Sequence, residues 1–133
     1  KFTTGPTVNA PRLPLTDADR RAVAGNAYSA TSNAPQGNQP RLVPDTVSLP
    51  SVKPFFVENG ARTDERGELW VERSRNVADR QTTYDVFDTT GTPRYTVVLA
   101  NDARIVGFSD AAMYASIRSS NGKTRLARHR RPW

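Results

Sequence analysis

Thr63-Asp64-Glu65-Arg66-Gly67-Glu68-Leu69-Trp70-Val71-Glu72 decides how this chain is read. A polar turn closed by glycine opens into a short alternating run, and alternation at period two marks a strand with one buried face. Downstream of a polar loop comes Thr82-Thr83-Tyr84-Asp85-Val86-Phe87-Asp88, then the turn Thr89-Thr90-Gly91, then Arg94-Tyr95-Thr96-Val97-Val98-Leu99. With a strand upstream, these predict one antiparallel meander over Phe56 to Arg62, Glu68 to Arg73, Thr83 to Asp88 and Arg94 to Leu99. Asp88 is expected to start its turn by bonding its own backbone, as aspartate does. A second unit follows with strands near Arg104 to Phe108, Ala112 to Ile117 and Lys123 to Arg128, the last pair joined by Ser119-Ser120-Asn121-Gly122. Met113-Tyr114 stands where Leu69-Trp70 stood, giving a repeat of about 42 to 44 residues, and no fourth strand follows. The predicted fold class is mainly β, with one complete and one incomplete antiparallel meander.

The alternation assigns Leu69, Val71, Tyr84, Val86, Val97 and Leu99 to a buried face and puts Trp70 and Phe87 on the opposite parity. An uncovered Trp and Phe would be a sticky surface, so a neighbouring unit, a helix or a partner must cover them.

Upstream the character changes. Residues 1–54 hold eight of the ten prolines and much Asn, Ser, Thr and Gln, so they are expected to form a long extended Pro-rich arm without a core of its own. The expected organisation is therefore an arm over 1–54 and a β domain over 55–133 with a basic C-terminal tail. Within the arm, Thr16 and Asp19 make a capping-box-like start for one short helix near 16–28, with Ala18, Ala22, Val23 and Ala27 as a narrow apolar stripe and Gly25-Asn26 weakening its end. Phe2, Val8, Leu13, Leu42, Val43 and Val47 are scattered apolar anchors suited to separate small contacts on a partner. An apolar share of 36% allows only a small core, and a β domain of roughly 80 residues is near the size at which one sheet system is marginal without partners.

Charge and chemistry narrow the function. Arg118, Lys123, Arg125, Arg128, Arg130 and Arg131 lie in the last sixteen residues with no acid among them, and they match the net charge of +6. Such a tail suits a protein partner or an anionic membrane surface, or guards an edge strand against self-association. Nucleic acid is not expected, because no recognition helix, glycine-rich clamp or row of aromatics accompanies the charge. His129, the single histidine, sits between Arg128 and Arg130 with no carboxylate neighbour in sequence to orient it as a base. With no cysteine, no calcium-loop spacing at Asp64 to Glu68 and no phosphate-binding or nucleophile motif, neither enzyme chemistry, nor a metal, nor a cofactor is expected. No run approaches the roughly 18 apolar residues of a spanning helix. The chain opens at Lys1, read either as the product of signal-peptide removal, with an extracytoplasmic location, or as a fragment boundary.

Asp64-Glu65-Arg66-Gly67-Glu68-Leu69-Trp70-Val71, Tyr84-Asp85-Val86-Phe87-Asp88-Thr89-Thr90-Gly91 and the closing Leu126-Ala127-Arg128-His129-Arg130 resemble the C-terminal end, the last one to two blades, of bacterial six-bladed β-propeller proteins. The likeness runs over roughly Leu13 to Arg130 and is strongest in the second half. The four or so preceding blades are missing, so ring closure and a central-channel site do not carry over. The resemblance implies a truncated, propeller-derived accessory subunit: non-catalytic, membrane-extrinsic, periplasmic or otherwise extracytoplasmic, bracing a larger complex. Because bacteria with similar proteins include phototrophs, a reaction centre–light-harvesting complex is the partner it suggests. The partner-binding residues expected are Phe2, Leu13, Leu42, Val43, Trp70, Arg118, Lys123, Arg125, Arg128, Arg130 and Arg131. The rival reading is a propeller-derived module that binds a small sugar or peptide on a Trp70 and Tyr84 face.

Overall fold

The computed structural model describes residues 11–23, 49–100 and 102–131. Within them the chain is mainly β: β1 (Leu13–Pro14), β2 (Val52–Lys53), β3 (Phe56–Thr63), β4 (Leu69–Arg73), β5 (Thr82–Phe87), β6 (Pro93–Leu99), β7 (Arg104–Ser109), β8 (Ala112–Arg118) and β9 (Thr124–Arg130). One short helix, α1, is described over 17–23; the rest of the helix expected near 16–28 lies outside the described residues. β3 to β6 form a four-stranded sheet in sequence order, β7 to β9 a three-stranded one, and β1 pairs with β2. All pairings are antiparallel, and the two meanders stay separate rather than closing into a barrel.

Three of the hairpins close by one device. Gly67 N donates to Asp64 O, Gly91 N to Asp88 O and Gly122 N to Ser119 O, and in each case the first residue's own amide then pairs across to the residue after the glycine. The glycines have φ of 77°, 82° and 79°, the left-handed region that a side chain would strain. Asp88 Oδ1 also accepts from the amides of Thr90 and Thr92, so the local bonding expected of it is present.

Register then sets the faces. Trp70 lies opposite Val86 and Glu72 opposite Tyr84, while Leu69 lies opposite Phe87. Residues directly opposite share a face. Trp70 therefore joins Tyr84, Val86, Val97 and Leu99, whereas Leu69 and Val71 go to the far side with Phe87. This corrects the alternation read along β4 alone: Leu69 is 39% exposed and Trp70 only 1%. The far-side Phe87 is met edge-on by Phe56 at 6.5 Å, and Arg73 lies over Phe55 while its guanidinium grips Asp85 in two hydrogen bonds.

The core lies between the two sheets. Trp70, Tyr84, Val86 and Leu99 from the first meet Ala103, Ile105, Met113 and Ala115 from the second segment, with Tyr95, Val97, Phe108 and Ile117 at its border. Trp70 packs against Tyr95 at 6.0 Å and Phe108 at 5.0 Å between ring centroids. A neighbouring sheet, not the helix, is thus what covers Trp70.

The described part of the arm is fastened to this body. Thr16 Oγ1 accepts from Asp19 N while Thr16 N donates to Asp19 Oδ2, a reciprocal cap. Asp19 Oδ1 accepts from Lys53 Nζ and from Val77 N. Burial alone would raise this carboxyl, but the hydrogen bonds from Lys53, Thr16 and Val77 outweigh it and hold it well below the usual carboxylate range. Residues 11–23 are therefore docked on the β domain instead of extending from it. Val23, in the expected apolar stripe, is 44% exposed, and Ala27 lies outside the described residues.

Candidate docking face

Met113, Ala115 and Ile117 point from β8 toward the first sheet. By alternation Tyr114, Ser116 and Arg118 point away, and register puts Arg128, Leu126 and Thr124 opposite them on the same outer face, with Arg130 beyond. Leu126 is 67% exposed and Val106, in the bulge of β7, 51%. Hydrogen bonds with Ser109 and Arg128 hold the Tyr114 phenol below its ordinary value, as a cationic neighbour should. The last acidic residue before this stretch is Asp110, so the face has no carboxylate from β8 or β9.

β9 pairs only with β8 among the described residues, so seven residues, Thr124–Arg130, form an open edge. An open edge carries unpaired backbone groups, and arginines along it are a known guard against self-pairing as well as a means of attracting acidic surfaces.

The expected basic patch is divided by the fold. Arg118, Arg128 and Arg130 share the outer face; Lys123 lies in the turn before β9; Arg125 and His129 alternate to the other side of the exposed strand. Arg131 is not a surface residue at all, with its side chain 2% exposed. It reaches back to the first sheet's opening turn, 3.4 Å from Asp64 Oδ2 and 2.9 Å from Glu65 Oε2, and stacks over Phe108 at 5.1 Å. Asp64 is itself enclosed, and it accepts from Arg66 N, Glu68 N and Trp70 Nε1. Sequence reasoning placed Asp64 in a polar turn and Arg131 in a basic tail. Nothing local marks either as buried, since 67 residues of chain separate the partners.

Trp70 is likewise inside, at the contact between sheets, so neither it nor Tyr84, 2% exposed, offers a face to a ligand or partner. Leu13 is half-buried in β1 against Lys53. Phe2, Leu42 and Val43 lie outside the described residues. Among the described residues no cluster of His, Asp and Glu could hold a metal ion, and no helix is long and apolar enough to cross a membrane. Compared with known proteins, the chain matches no family model, no curated protein and no solved structure.

Proposed function

We propose that this protein is a non-catalytic structural subunit that braces a larger protein assembly, docking through the outer face of β8 and β9 and the open edge of β9. The observation that carries this reading is the direction of stacking. Trp70 points into the second sheet, whereas Tyr114, at the matching place of the second unit, points away from the first. The two units therefore stack head to tail, and among the described residues nothing covers the outer face of the second unit, where a heterologous stack can take a further body. That terminal face pairs apolar Leu126 and Val106 with Arg118, Arg128 and Arg130, a composition suited to a partner with an apolar centre and an acidic rim.

The likeness of Asp64 to Val71 and Tyr84 to Gly91 to the last blades of bacterial propeller proteins supports the same reading. On it rest the further proposals of an extracytoplasmic location peripheral to a membrane, and of a photosynthetic reaction-centre complex as the host. The test is native purification: a tagged chain expressed in its own cells should co-migrate with a multisubunit complex when membranes are solubilised. Recovery only as a free monomer would overturn the proposal.

A further inference from the structure

At the other end of the sheet contact, β3 is distorted over a buried acid. Its register slips between Phe56 and Ala61, Asn59 takes a φ of 57°, and Gly60 lies so close to β4 that an added Cβ would sit 3.0 Å from the Cβ of Glu72. Glu72 is 5% exposed. Its Oε2 accepts from Tyr84 OH at 3.2 Å, and Ile105 N donates to the same phenol oxygen at 3.1 Å, so this half of the carboxylate is fixed.

The other half is not. Glu72 Oε1 is buried without a hydrogen-bond donor; Arg104 Nη2 stands 3.3 Å away as an ion pair, out of hydrogen-bond alignment, on a side chain 56% exposed. A second acceptor, Asn76 Oδ1, is also buried without a donor. Both residues line one cleft of about 420 Å³, together with Phe56, Val57, Val77 and Arg104. Buried polar atoms are nearly always paired, so two orphans of the same kind in one cleft call for a common explanation.

Apart from Glu58, the other charged groups around the cleft are already committed. Lys53 is held by Asp19 and the Arg75 carbonyl, and Arg75 and Arg80 both bind Asp102. What remains is two acceptors, one of them charged, an arginine with spare donors, and an apolar wall. Glu58 at the rim adds further negative charge.

We propose that this cleft binds a small zwitterion of the amino-acid type with an apolar side chain. The ligand's ammonium donates to Glu72 Oε1 and Asn76 Oδ1, its carboxylate draws Arg104 off Glu72 into a two-point ion pair, and its side chain lies on Phe56, Val57 and Val77. A planar guanidinium fits a carboxylate in this fashion, and a desolvated acid favours a cation that replaces the misaligned arginine.

Calorimetric titration of the full chain with free leucine and phenylalanine, and with their N-acetyl and C-amide derivatives, tests this. Free amino acids should saturate the site, and N-acetylation should weaken binding at least about tenfold, since one charge-assisted contact is of that order. Glu72→Gln and Asn76→Ala should each weaken binding of the free amino acid by a similar factor, and Arg104→Ala should erase the preference for a free carboxylate over the amide. Circular dichroism checks that each variant is folded, and Asn76→Ala, on a loop, keeps the test open if Glu72→Gln is not. Absence of saturable binding up to about 10 mM, a range that includes even weak specific sites, would overturn the proposal. So would N-acetyl derivatives binding as tightly as free ones, or an Asn76→Ala chain binding unchanged.

Discussion

Trp70 joins three separate parts of the chain: its ring fills the space between Tyr95 and Phe108, and its indole nitrogen donates to Asp64. Truncation to alanine removes the largest side chain of the core and costs the Asp64 carboxylate a donor. Trp70→Ala is expected to lose about 3 to 5 kcal/mol in chemical denaturation, a large part of the stability of so small a domain. Arg131 is the counterpart from the other end of the chain. Its removal leaves Asp64 enclosed without its cation, and breaking such a pair typically costs about 3 kcal/mol or more. Arg131→Ala should therefore destabilise far more than Arg128→Ala, whose side chain stands in solvent. Tyr84 provides a pH-dependent test. Burial, reinforced by the charge on Glu72, pushes its phenol up to about 12. Because the folded state favours the neutral form, its contribution is complete below the ordinary tyrosine value of about 10 and is lost as the pH rises through the folded value. Ultraviolet titration should show two phenols, Tyr84 and Tyr95, both raised by burial, ionising only at high pH, and a Tyr84→Phe chain should lose one phenol from that late step.

Among the elements, α1 depends most on a single side chain. Short helices have little stability of their own, so the contacts of Asp19 with Thr16, Lys53 and Val77 hold it in place. Asp19→Asn should increase amide exchange across 17–23 while β4 and β5 keep their protection. The carboxyl's depressed value gives the sign of the acid response: its stabilisation is present above the ordinary value of about 4 and is lost only as the pH falls well below it. Helix amides should therefore stay protected to a lower pH than an ordinary aspartate would allow. The sequence made the cap legible, because Thr16 and Asp19 are three residues apart. It gave no sign of the anchor, because Lys53 and Val77 come from distant segments. The strands were legible for the same local reason, down to the turns at Gly67, Gly91 and Gly122, where only the left-handed backbone closes the hairpin.

For the molecule as a whole, the charge distribution makes docking testable by salt. If the outer face of β8 and β9 binds through Arg118, Arg128 and Arg130, raising salt from about 50 to about 500 mM should release the protein from its host complex, since screening then confines exposed charges to a few Å. Reversal of Arg128 and Arg130 to glutamate should do the same at low salt without altering the melting temperature. Retention at high salt, lost on deleting residues 1–54, would move the binding energy to the arm and refute docking by charge.

What the sequence determined by itself is local: the strands, their glycine turns and the helix cap all follow from spacings of a few residues. The faces needed more than that. Whether Trp70 or Leu69 turns inward depends on which residue of β5 stands opposite, and a one-residue change of register exchanges every side chain between core and surface. Tertiary structure likewise decided that Arg131 is a buried latch and Arg128 a surface charge, though both read as members of one basic tail. The physical reason is the same in each case. Burial is a property of what another part of the chain brings alongside, and neither the alternation within a strand nor the sum of charges in a tail contains that partner.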